Sequence, residues 1–372
     1  MFAELSTPAV LIDRRRALRN IARVQELASA AGIKLRPHAK THKSPVVARW
    51  QLERGAVGIC CAKPGEAEVF ADAGIRDIRL PYPVNPSNAA RVLALMDRAN
   101  VSIIIDHAEV ARAWSDAMRQ AGRALDVLIK VDVGFHRCGI DPAGDAVGFV
   151  KTIASLRGLK LRGLLSHAGH GYHAESEADL ERIAADEVAT LLRIKAEAER
   201  SGVPIQEISV GATPTLRFSA RQKGISELRP GNYVYFDRTQ VALGAAALDD
   251  CGLTVLATVV SKHRGRIVLD CGSKTLTNDQ ARGISKAPGF GAILEYAASP
   301  DRRVNESLTI ERLSEEHATV GVTGSTQLEP GDRVQVLPNH SCVVSNMVDA
   351  VHIVEGDRLV ETIPVAARGR IT

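Results

Sequence analysis

The sequence predicts an α/β protein, a (β/α)8 TIM barrel followed by a second, mostly β C-terminal domain. Three observations lead there. From Lys34 to Arg229, short apolar segments alternate with longer helical stretches, the rhythm of parallel βα units. Eight such segments can be placed, the number that closes a barrel. Near Asp237 the rhythm breaks, and short strands separated by Gly and Pro turns take over.

In chain order, 7–13 reads as a strand and 14–31 as an amphipathic helix, with Leu18, Ile21, Ala22, Val24 and Leu27 towards one face. Gly32 closes that helix. The eight barrel strands fall at 34–37, 57–60, 77–80, 102–105, 127–131, 161–166, 207–210 and 227–229. Helices between them include 64–73, 88–98, 109–121, 144–155 and the long 177–201. Later strands fall at 253–260, 266–270, 308–312, 318–322, 333–336 and 347–354. The expected division is a cofactor-binding barrel at 14–240 and a β-rich, metal-binding domain built from 1–13 plus 241–372.

Composition narrows the function classes. The 372 residues are 45% hydrophobic and 24% charged, ordinary for a soluble globular enzyme. A net charge of +4, with the charges interspersed, argues against a nucleic-acid partner. The N-terminal residues carry no basic segment with an apolar core, and no run reaches membrane-spanning length. Six irregularly spaced cysteines make no disulfide framework, so reduced thiols and a cytoplasmic address are expected.

The chemistry-bearing residues gather after the strands, where barrels place their active sites. Leu35 to Lys43 packs two lysines, two histidines and an arginine between an apolar strand and a helix. A lysine crowded there by other cations is expected to have a depressed pKa and to act as an amine nucleophile. After the fifth strand comes Asp132 to Gly139, and after the sixth Ser166 to His173. Gly211, Ala212 and Thr213 after the seventh, with Gly231 and Asn232 after the eighth, offer amides, a hydroxyl and little bulk. Such loops cradle phosphate. Opposite a lysine they suggest a phosphate-bearing aldehyde cofactor, pyridoxal 5′-phosphate. Late in the chain, His340 and Cys342 stand two apart, a spacing that points both the same way in extended chain. Imidazole plus thiolate suits zinc, and two ligands suit a catalytic ion completed by water or substrate. Taken singly, the basic cluster also reads as a solvated turn, each glycine loop as ordinary turn chemistry, and His340 with Cys342 as a chance pair. Glu315-Glu316-His317 is equally ambiguous.

As a set, these residues resemble the D-serine dehydratase / D-threonine aldolase family of fold-type III pyridoxal enzymes, whose N-terminal barrel is alanine-racemase-like. The resemblance rests on Thr7-Pro8 with Leu11-Ile12-Asp13, Arg36-Pro37-His38-Ala39-Lys40, Gly58 to Lys63 with Glu66-Ala67, Arg137-Cys138-Gly139, the glycine loops, Glu316-His317 and Pro338 to Cys342. It implies a barrel carrying pyridoxal phosphate, a β domain carrying a divalent metal, and a homodimer with sites near the interface. It implies Lys40, not Lys43, as the lysine that holds the cofactor and then removes the Cα proton. It implies His340 and Cys342 as metal ligands, for zinc first, with manganese, cobalt or magnesium as other candidates. His167, Tyr172 and Arg137 are implied as cofactor contacts, Arg137 at the ring oxygen, and His317 or His170 as the base for the β-hydroxyl. Members with cysteine at the second ligand position are typically dehydratases, and those with aspartate typically aldolases. Cys342 and the Gly211 to Thr215 loop resemble the former. Arg137-Cys138-Gly139, Cys60-Cys61 and Ala366 to Gly369 resemble the latter. The expected activity is therefore dehydration of a D-3-hydroxy amino acid (D-serine, D-threonine or D-threo-3-hydroxyaspartate), with D-threonine aldolase as the alternative. A racemase would need a second base, for which only Tyr296 remains after Tyr235. A non-catalytic pyridoxal-phosphate-binding protein would lack the β domain.

Overall fold

The computed structural model describes residues 1–280, 282–285, 288–295 and 302–372. The chain starts in the second sheet: strand β1 (Ala9–Asp13) pairs there before the first barrel element appears. The side chain of Asp13 then accepts from the Arg16 amide at 3.0 Å and caps helix α1 (Arg14–Ala30). The buried line of α1 is Ala17, Ile21, Val24 and Ala28, with Leu18 and Leu27 packed partly buried against the same core. Gly32, at φ 67°, follows the C-cap and turns the chain back.

The eight expected barrel strands are all present: β2 (Lys34–Leu35), β3 (Ile59–Cys60), β4 (Asp77–Pro83), β5 (Asn100–Ile105), β6 (Leu125–Lys130), β7 (Leu159–Leu165), β8 (Glu207–Val210) and β9 (Glu227–Leu228). They form one parallel sheet in the order β2-β9-β8-β7-β6-β5-β4-β3. A bridge between His38 and Cys60, with the Val57 amide donating to the Leu35 carbonyl, joins the two ends into a ring. Strand β2 is cut to two residues because Pro37 has no N–H for the ladder.

A second, nine-stranded sheet holds β1 and β10 (Leu253–His263), β11 (Arg266–Leu269), β12 (Ala292–Ile293), β13 (Leu308–Leu313), β14 (Ala318–Val322), β15 (Arg333–Leu337), β16 (Ala350–Glu355) and β17 (Arg358–Pro364). β1 runs antiparallel to β10 and parallel to β16. Strand β17 carries no apolar alternation because it is a largely exposed edge strand, so its sequence gave no periodic signal. No helix of the described residues is long and apolar enough to cross a membrane.

The barrel interior departs from a hydrocarbon core. Glu227, 2% exposed, accepts from Arg36 Nε at 2.7 Å, from Ser209 Oγ at 2.6 Å and from Arg79 Nη1. Arg79 also reaches Glu207 at 2.8 Å. Burial pushes the Glu227 carboxyl up, but Arg79 and Arg36 outweigh it and hold the group ionised. Removing one charge from such a network strands the others. Glu227→Gln is therefore expected to cost about 3–5 kcal/mol in urea unfolding. A loss under about 1 kcal/mol would mean that water screens this cluster as it screens a surface pair.

Candidate active site

A cavity of about 190 Å³ opens where the C-terminal strand ends meet the second sheet, and both halves of the molecule line it. Pro37 stops β2, His38 stays extended, and the chain tightens into a single 3₁₀ turn, Ala39–Thr41, that presents Lys40 to the cavity. Lys40 Nζ lies 5.7 Å from the centroid of the Tyr82 ring. Its pKa is raised, first by Tyr82 and against the effect of burial. The expected depressed lysine is a different one. Lys130, at the end of β6, is brought down to about 7, chiefly by burial and then by Arg229. Lys43 leaves the cavity: it sits at φ 48°, buried, with Nζ 3.7 Å from Glu66 Oε1.

The loops after the strands build the rest of the barrel side. The Arg137 guanidinium stands 4.9 Å from the Phe135 ring and 5.5 Å from the Tyr82 ring. His167 Nδ1 lies 3.1 Å from the Gly211 carbonyl, which can only accept, so that nitrogen carries the proton. Burial holds the His167 imidazole well below its usual pKa, helped by Lys130 and Lys40. Gly211 acts through this bond and does not itself face the cavity. Tyr172, Ala212, Thr213, Gly231 and Asn232 do face it. A Cβ on Gly231 would stand 2.9 Å from His38 Cβ, so only glycine permits that approach.

On the other side stand His340 and Cys342. They do not lie on a strand, as the spacing suggested. His340 is extended and caps the short helix Ser341–Val344, whose first turn carries Cys342. The two side chains nevertheless meet. Burial would lower His340, but the Cys342 thiolate, its hydrogen bond, Asp237 and Asp279 raise it to about 9. Cys342 is raised by burial and lowered further by His340, so its thiol ends below the usual range. Cys342 Sγ is 3.2 Å from Thr41 Oγ1, next to Lys40.

Buried Asp237 ties the two sides together. Its Oδ2 accepts from Asn232 Nδ2 at 2.6 Å and from the Ser341 amide at 3.0 Å, while Oδ1 takes the Gln240 amide at 3.0 Å. The Asn232 amide nitrogen is thus committed to the joint, while its Oδ1 is buried without a hydrogen-bond partner among the described residues.

Two expected residues are elsewhere. His170 turns from the cavity to pack over Gly134, where a Cβ would stand 3.5 Å from His170 Cε1. His317 is exposed in the turn between β13 and β14, held there by the Ser314 amide on its carbonyl at 2.9 Å. Tyr296 lies outside the described residues. The cavity also gains Tyr82, Lys130, Arg229, Asp279 and Arg282, which the sequence reading missed. A signal existed for two of them: Lys130 and Arg229 are charges at the ends of apolar strands, where an ordinary core would have none.

Residues 12–239 match the alanine racemase N-terminal domain, and residues 252–354 match a putative serine dehydratase domain. The chain is 32% identical to the D-threo-3-hydroxyaspartate dehydratase of Delftia sp. (strain HT23), over 96% of either chain. It belongs to the D-serine dehydratase / D-threonine aldolase family of alanine-racemase-like enzymes. It is also 32% identical to the D-threonine aldolase of Arthrobacter sp., over 99% of this chain and 94% of that one. A solved structure of a D-threo-3-hydroxyaspartate dehydratase variant, with cysteine replaced by alanine and in the metal-free form, superposes with a TM-score of 0.90 at 31% identity, covering 97% of each chain.

Lys130 gives a pH test. Below about pH 7 it is charged folded and unfolded, and the fold bears the full cost of burying that charge. Between about 7 and the ordinary lysine pKa of 10.5 the unfolded chain binds a proton that the fold does not, so stability rises with pH. In the cofactor-free protein, Lys130→Met is expected to stabilise by on the order of 4 kcal/mol at pH 6, a gain that fades towards pH 10. A gain of equal size at both pH values in urea unfolding would rule out this account.

Proposed function

We propose that this chain is a pyridoxal 5′-phosphate- and divalent-metal-dependent lyase acting on D-3-hydroxy amino acids, with β-elimination to a 2-oxo acid and ammonia as its main reaction. The observation that carries the proposal is that Lys40, from the barrel, and His340 with Cys342, from the other side, face one cavity. A homodimer and a cytoplasmic address, expected from the family resemblance and the free thiols, complete it.

The residues present fit both groups. Thr213 Oγ1 is buried without a hydrogen-bond partner among the described residues, in a loop of small residues, as a phosphate oxygen would require. Thr213, Ala212 and Gly231 would hold the phosphate, Lys40 the aldehyde, and Arg137, His167 and Tyr172 the ring. When bound, the cofactor supplies an electron sink for charge developing at Cα. His340 and Cys342 would hold the metal. Among the described residues no group of three or more His, Cys, Asp or Glu forms a closed cage, so the pair suits an open site that supplies a Lewis acid to the β-hydroxyl. Zinc is the first candidate, with manganese, cobalt and magnesium behind it.

The chain's own residues then divide the work. Lys40 Nζ takes the proton from Cα. Arg229 donates Nη1 to His38 Nε2 at 3.5 Å, and burial with Lys40 keeps that imidazole neutral beside it. Phe135 and Tyr82 wall the barrel side against water. Elimination needs one base at Cα. Retro-aldol cleavage needs a base at the β-oxygen, and the two histidines expected for that role stand away from the cavity. Asp279 and His173 do face it, which keeps D-threonine aldolase as the second reading.

Borohydride reduction of the holoenzyme followed by peptide mapping should mark Lys40; a mark on Lys43 would overturn the assignment. Lys40→Ala should lower turnover by at least about 10²–10⁴-fold. Chelation should abolish turnover while the cofactor stays bound, and full activity in metal-free protein would sink the role given to His340 and Cys342. D-serine should yield pyruvate and ammonia. If D-threonine gives glycine and acetaldehyde, and no substrate gives a 2-oxo acid, the chain is an aldolase.

A further inference from the structure

The reading above places the substrate's β-hydroxyl at His340 and Cys342, and the following inference rests on it. Whatever else hangs from the β-carbon must then face the same side of the cavity. That side is built by the segment leading to Arg282. Asn339, next to His340, donates Nδ2 to the Asp279 carbonyl at 2.9 Å and pins the segment beside the pair. Four residues on, a Cβ at Gly283 would stand 3.0 Å from Ala242, so the chain packs against its neighbour there. Arg282 between them lines the cavity with an exposed side chain.

The other guanidinium and ammonium groups beside Lys40 are hydrogen-bonded, stacked or buried on the barrel side. Arg229 donates to Ser209 Oγ at 2.6 Å and to the Ser166 carbonyl. Arg137 stacks between Phe135 and Tyr82 on the barrel side. Lys130 is buried at the end of β6. Arg282 has no hydrogen bond or ion pair among the described residues. The facing anion is Asp279, which accepts from Thr277 Oγ1 at 3.2 Å and acts on His340. It is engaged before a ligand arrives.

We propose that Arg282 binds a carboxylate carried on the β-carbon, so that the favoured substrates are D-3-hydroxy dicarboxylates of the 3-hydroxyaspartate type over D-serine and D-threonine. A planar guanidinium meets a carboxylate in two parallel hydrogen bonds, which lysine cannot copy. D-serine leaves the same guanidinium to water, at little cost because it is exposed.

The test is a pair of measurements on the metal-loaded holoenzyme. First, kcat/KM for D-threo-3-hydroxyaspartate should exceed that for D-serine, and Arg282→Gln should shrink that ratio roughly ten- to hundredfold, mostly through KM. Arg282→Lys should recover part of the loss, and added salt should narrow the ratio in the parent protein. Second, calorimetry should find D-malate, which lacks the reacting amine, bound roughly tenfold more tightly than 3-hydroxypropionate, the matching analogue of D-serine without the carboxylate on the hydroxyl-bearing carbon, and Arg282→Gln should erase the difference. An unchanged ratio in Arg282→Gln, or equal binding of malate and 3-hydroxypropionate by the parent protein, would overturn the role of Arg282. Absence of turnover with every D-3-hydroxy amino acid would instead overturn the lyase reading, and the malate comparison would still decide the carboxylate site.

Discussion

The whole cavity depends on one buried carboxylate. Asp237 is fully enclosed, and burial alone would push it towards the neutral acid. It is retained because donors converge on it from both sides of the joint: Asn232 from the loop after β9, Ser341 from the helix that carries Cys342, and Gln240 from the helix that follows it. Each donor also fixes a functional neighbour. Gly231 precedes Asn232, and His340 and Cys342 flank Ser341. A break at Asp237 would leave every individual residue intact and would still remove the shared acceptor that joins Asn232 to Ser341. Ser345 Oγ, donating to the Thr41 carbonyl, repeats the same tie a turn later.

Beneath the cavity, charge continues down the barrel axis where hydrocarbon is usual. Arg36, Arg79 and Glu227 form a buried network, and Ser209 passes it on to Arg229 at the cavity floor. Such a core gains little stability over an apolar one. What it provides is a set of fixed, paired charges behind the site, ending in the Arg229 guanidinium. Lys130 and His38 are held below their ordinary values there, with Arg229 adding to the effect of burial, while Lys40, faced by Tyr82 and Cys342, is held above its own. Neighbouring basic side chains thus hold different protonation states in a small space, set by which anion each one meets.

The sequence was legible where its signal was periodic or local. All eight barrel strands fell where apolar runs predicted, and the change of rhythm after Asp237 marked the second sheet. Lys40 could be separated from Lys43 only by resemblance; in the fold the separation is physical, since one turn of 3₁₀ helix sends one to the cavity and the other to Glu66. His170 and His317 show the limit. Each sits beside suggestive residues in sequence, but a local turn and a hairpin decide where each ring points, and neither leaves a trace in composition. Tyr82 and Arg282 were invisible for the opposite reason: they reach the cavity through tertiary placement alone. Arg229 and Lys130 could have been noticed as charges closing apolar strands.

The position of β1 has a consequence for how the molecule is made. This strand lies between β10 and β16, which are synthesised only after the entire barrel. β1 therefore waits, unpaired, through the translation of everything that separates it from its partners. The barrel is assembled from near neighbours and can form as it emerges, whereas the second sheet closes late, through distant pairings. A half-made chain would hold Lys40 and the glycine loops without His340 and Cys342. The cavity is thus completed only when the segment that follows the barrel folds back onto β1.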